Sequence, residues 1–143
     1  MIDIESKIVD TIYNAVKAVN AYPDADVTTG FDEKTAVFPC VVVQETNNSP
    51  YRRGNTDDCA ENYTRLTYDV SVYTDNANSA KSEGKKILDI VDTALQGLKF
   101  RRIHKNKPLN ISRTLFRQYG RWEVIVGKPI VVGENTVYQM YRR

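Results

Sequence analysis

Apolar positions at the start of the chain recur at intervals of three and four: Ile4, Ile8, Ile12, Ala15, Val16 and Val19. That spacing places one stripe along an α-helix. Asp3 and Glu5 stand where a carboxylate favours the positive end of the helix dipole. Tyr22-Pro23 closes the pattern, because the residue before proline resists helical backbone. The period then changes. Thr35 to Glu45 is dense in β-branched residues and predicts a strand. Pro39, which has no N–H to donate, marks an edge position, a bulge or the strand start. Tyr63 to Tyr73 alternates strictly. Leu66, Tyr68, Val70 and Val72 form one face; Arg65, Thr67, Asp69 and Ser71 form the other. This predicts a strand with one covered and one wetter face.

Residues 79–98 return to helical spacing. Ile87, Val91, Ala94, Leu95 and Leu98 form a stripe that Leu88 and Ile90 widen, and Asn78 or Ser79 supplies a cap. Beyond them, Phe100 to His104 predicts a short basic strand. Residues 113–119 and 122–126 predict one long strand bent at Gly120, and 129–133 and 137–141 predict two more. Residues 47–61 carry turn formers and no period. They predict a long loop, either a working loop or a plain insertion. The order helix, strands, helix, strands describes a single α+β domain over 1–143 rather than alternating βαβ units.

Composition narrows the possibilities. A chain of 143 residues is long enough to bury a core without disulfides or metal. Nine tyrosines suit half-buried strands and interfaces, where the ring packs and the hydroxyl stays wet. No apolar run approaches the ~18 residues of a membrane span. The start of the chain lacks the basic and apolar regions of a signal peptide, so we expect the protein to stay where it is made. Cys40 lies in an apolar run and reads as inert core; Cys59 lies in polar sequence, and neither has metal-ligand spacing.

Charge is nearly balanced overall but unevenly placed. Residues 1–98 hold nine basic and sixteen acidic side chains, whereas 99–143 hold eleven basic and two acidic. Either the two parts neutralise each other inside one fold, or they form opposed patches for head-to-tail association or for nucleic acid. His104 is the single histidine and has no ligand-spaced partner, so no metal site is expected. No nucleophile elbow or phosphate-binding glycine loop occurs. Asp57-Asp58 and Asp89/Asp92 read as solvated carboxylates. The sequence therefore predicts neither an enzyme nor a cofactor. The densest basic cluster is Arg101, Arg102, Lys105 and Lys107. Tyr51, Arg52 and Arg53 in the long loop are of the types enriched at interface hot spots.

Several stretches, in this order and spacing, carry a resemblance: Phe38 to Glu45 with its long loop, Tyr68 to Asp75, the helix holding Gly84-Lys85-Lys86-Ile87, Leu98 to Arg102, Arg117 to Val124, and Tyr141-Arg142. Together they resemble the tail terminator, or tail completion, proteins of long-tailed bacteriophages and related tail-like particles. Where that family would place Leu-Gly-Phe after the second helix, this chain has Leu98-Lys99-Phe100. The resemblance implies a mixed, mainly antiparallel sheet with two helices on one face. It implies a ring, six subunits by family analogy, on the head-proximal end of the tail tube. Such a ring stops tube polymerisation and offers a joint to the head connector or stopper protein. Its expected location is the virion neck, after assembly in the bacterial cytoplasm, with DNA passing through and no membrane contact. Tyr51, Arg52, Arg53, Arg101, Arg102, Lys105 and Lys107 are the expected assembly residues. A neighbouring head–tail joining or head-closure protein is the alternative, followed by a nucleic-acid-binding module.

Overall fold

The structure is a computed structural model. It describes residues 4–18, 25–30, 38–50, 63–75, 80–106, 109–110, 115–127, 130–132, 135–137 and 140–141. Two helices and nine strands follow in the order α1 (Glu5–Ala18), β1 (Asp26–Thr28), β2 (Cys40–Pro50), β3 (Tyr63–Thr74), α2 (Ala80–Gly97), β4 (Arg101–Lys105), β5 (Leu109–Asn110), β6 (Phe116–Gly127), β7 (Ile130–Val132), β8 (Asn135–Val137) and β9 (Met140–Tyr141). The architecture is α+β. Seven strands make the main sheet, along the path β1-β2-β3-β6-β4, with β5 and β9 also paired to β6. Only β1–β2 is parallel; every other pair in the sheet is antiparallel. β7 and β8 form a separate two-stranded ribbon.

Alternation in β3 and β6 sorts side chains to the two faces. On one face the register sets Tyr68 opposite Trp122, Leu66 opposite Val124 and Val70 opposite Gly120. β2 adds Val41 and Val43, opposite Val72 and Val70. Both helices close this face. Ile8, Ile12 and Val16 of α1 and Ile87, Leu88, Val91 and Leu95 of α2 join these residues in one buried core. Each such aliphatic side chain contributes about 1.5–3 kcal/mol on burial. Among the described residues no helix lies on the other face, which we call the open face.

The α2 stop is well defined. The Phe100 N–H donates to the Leu95 carbonyl and the Lys99 N–H to the Gln96 carbonyl, both at 3.0 Å. This is a Schellman ending, which needs a left-handed residue at its turn. Lys99 fills that place with φ 71°. Lys99 thus adopts a conformation that glycine favours.

Two sequence expectations change here. Asn47 to Pro50, expected in the long loop, form the end of β2, with register shifting between Glu45 and Asn47. The bulge takes up one residue, and the Thr46 hydroxyl donates to the Thr67 carbonyl at 3.2 Å. Pairing along β3 therefore outweighs the low strand preference of Asn, Ser and Pro. β1 lies in a stretch that read as turns, and it pairs only because β2 runs alongside. Residues 51–61 lie outside the described residues. Pro39 immediately precedes β2, and its carbonyl accepts from the Asp26 N–H at 3.0 Å.

Candidate functional site

β4 divides the expected basic cluster in two. Arg101 stands opposite Glu123 and Arg102 opposite Trp122. Register then shifts, so that His104 faces Arg121 and Lys105 faces Gly120. The extra residue is Ile103, 46% exposed. A bulge of this kind re-aims the side chains after it. In consequence Arg101 and His104 lie on the open face, while Arg102 and Lys105 turn toward α2.

On the α2 side the charges are already matched. Lys105 Nζ lies 3.6 Å from Asp89 Oδ1, and Arg102 Nη1 lies 3.3 Å from Asp92 Oδ2. Asp92 also accepts from the buried Trp122 indole N–H at 2.8 Å and from the Gln96 amide at 3.1 Å. Asp92 is thus no solvated carboxylate: it satisfies the polar atom of the largest buried side chain, at the mouth of the core. Its partner Trp122 lies 30 residues away, beyond the reach of any local pattern. Arg102 and Lys105 act first as ties between β4 and α2. Lys107, Tyr51, Arg52 and Arg53 lie outside the described residues.

The open face holds a row of charged and aromatic side chains that charge counting missed. β3 and β6 pair Tyr73 with Arg117, Ser71 with Tyr119, Asp69 with Arg121, Thr67 with Glu123 and Arg65 with Ile125. Arg121 grips Asp69 through two hydrogen bonds, Nε to Oδ1 at 2.8 Å and Nη2 to Oδ2 at 3.1 Å. That hydrogen bonding, and then the Asp69 charge, holds the Arg121 pKa above its usual value. Arg65 Nε lies 3.8 Å from Glu123 Oε1. The Arg117 guanidinium sits 4.9 Å from the Tyr119 ring and 5.9 Å from the Tyr73 ring. It donates to the Ser71 hydroxyl from Nη2 at 3.2 Å and from Nε at 3.4 Å. The His104 ring is tilted against Tyr119, with centroids 5.8 Å apart. Tyr63 meets Tyr141 edge-on at 5.7 Å. The period-two alternation of β3 was the one signal for this face, and it named only half of each pair.

Cys40 is buried, and desolvation first, then the Asp26 charge, push its thiol up to about 11. It is protonated and weakly nucleophilic at neutral pH. Among the described residues no three His, Cys, Asp or Glu side chains gather as a metal site. No described helix is long and apolar enough to cross a membrane. Among the described residues, shallow depressions flank the helices. One, of about 370 Å³, is lined by Ala15, Asp89, Ile90, Thr93 and Ala94. Another, of about 350 Å³, is lined by Glu5, Ser6, Val9, Asp10 and Thr29. No family model matches the chain, and no curated protein is significantly similar to it.

Proposed function

We propose that this chain is a structural assembly protein of tail-like particles. In this reading it forms a ring that caps the head-proximal end of the tail tube, halts its growth and presents a joint to the head connector. The role is non-catalytic and needs no cofactor. The supporting observation is the one-sided layer. Both helices cover one sheet face, as the resemblance implies, and among the described residues the other is a broad surface of arginines and tyrosines. These residue types dominate the energetics of protein interfaces. Five of the six segments that carry the resemblance fall on elements of this layer: β2, β3, α2, β4 and β6.

The test uses the full chain, alone and mixed with tubes assembled from the tube protein of the same particle. Sedimentation and negative-stain images should show rings, and added protein should cap and shorten growing tubes. A chain that stays monomeric with and without tubes, and leaves tube length unchanged, would rule the reading out.

A further inference from the structure

Among the described residues, two of the four arginines on the open face make ion pairs, Arg121 with Asp69 and Arg65 with Glu123. Arg101, exposed and opposite Glu123 in register, makes none. Arg117 differs from it in being fixed. Among the described residues it makes no ion pair, yet it is held in place by two rings and by the Ser71 hydroxyl. Those bonds use Nε and Nη2 and leave Nη1 without a hydrogen-bond partner among the described residues. A planar guanidinium oriented beforehand loses less freedom when it meets a carboxylate, and the charged hydrogen bonds so formed are strong.

We infer that Arg117 anchors the Asp10 carboxylate of a second copy of this chain, on the flank of its α1. Asp10 is exposed, makes no ion pair among the described residues, and lines a depression with Glu5, Ser6, Val9 and Thr29. The flank belongs to the helix layer, and Arg117 to the sheet face that the helices leave open. One subunit thus presents both halves of the contact on different sides, which is the heterologous kind of contact that a ring requires. The inference rests on the self-association proposed above and names the surfaces that meet.

Two features favour a protein carboxylate over nucleic acid. The Arg117 guanidinium already lies over Tyr119 and Tyr73, so those faces are not open platforms for bases. Asp69 and Glu123 are interleaved among the arginines and would oppose a continuous run of phosphates.

The experiment measures self-association of the purified full chain by sedimentation, without tubes. Arg117→Glu and Asp10→Lys should each weaken it by on the order of tenfold or more. The double exchange, Arg117→Glu with Asp10→Lys, should recover most of the loss. Melting temperature monitors folding, and Asp10 is an exposed helix position whose reversal tests the contact even if Arg117→Glu unfolds. Wild type that never self-associates, single reversals without effect, or a double exchange no better than the singles each overturn the inference. So does loss of single-stranded DNA retention in Arg117→Glu with self-association intact. Reversals that break self-association of a chain that does not cap tubes leave the inference standing and remove the tail-capping role; the converse removes only the inference.

Discussion

The two faces of the sheet are built from the same strands by opposite means. The helix-covered face is mostly apolar, with buried Thr64, Thr74 and Gln118 among its side chains and the hydrogen bonds Trp122–Asp92 and Tyr68–Glu45. The open face stays together through Arg121–Asp69, Arg65–Glu123 and the stacked Arg117, with Thr67 and Ser71 buried beneath the long side chains. Burial does not require apolar cover: the aliphatic stems and flat guanidinium groups of arginine screen the backbone while their charges remain near water. The first face is therefore expected to carry stability. The second is expected to carry recognition, since exposed ion pairs contribute little to folding and much to the choice of partner.

Substitutions in both faces test that division. Trp122→Ala removes the largest buried side chain and should cost about 3–5 kcal/mol, read by urea denaturation. A loss below 1 kcal/mol would erase the contrast. Asp92→Ala leaves the buried indole N–H without its acceptor and frees Arg102, and should cost about 1–3 kcal/mol. If Asp92 were merely a solvated carboxylate, the change would be close to zero. Gly120→Ala probes the same face through space rather than polarity. A methyl group there would stand 2.5 Å from Trp122 Cη2 and 2.8 Å from Cζ3, so the anchored ring must shift at a cost of about 1–3 kcal/mol. Lys99→Gly should act in the other direction, stabilising by about 1 kcal/mol, because glycine accepts the left-handed Schellman position without strain. Thermal melting checks both. On the open face, Arg121→Ala should lower stability by less than about 1 kcal/mol. The difference from wild type should shrink further at high salt, because the Arg121 side chain is 46% exposed.

How much of this was legible in the sequence depended on range. β3 and α2 were readable because each repeats its own pattern over three or more turns or pleats. Gly120 was rightly placed inside one long strand, where it leaves room for the Trp122 ring. β1 and the end of β2 were not readable, since three-residue strands and Asn-Asn-Ser-Pro acquire structure only from a neighbour. The same limit hid the site. Arg117 depends on Ser71, 46 residues away, and Arg121 on Asp69, 52 away. A composition count saw a basic last third; only pairing shows that Arg102, Lys105 and Arg121 are matched within the subunit and that Arg117, among the described residues, is not.

The asymmetry of β6 has a consequence in time. Along one edge it meets a single long partner, β3, from Phe116 to Gly127. Along the other it meets three short ones: β5 at Phe116 and Arg117, β4 from Gly120 to Glu123, and β9 at Ile125 and Val126. Tyr119 bonds to Asn106 with both its N–H and its carbonyl, so odd-numbered amides of the strand face the short partners and even-numbered ones face β3. Short segments open singly, at a fraction of the global cost. Amide protons along this one strand should therefore exchange with solvent in alternation, the even positions keeping pace with whole-chain unfolding and the odd positions running ahead of it.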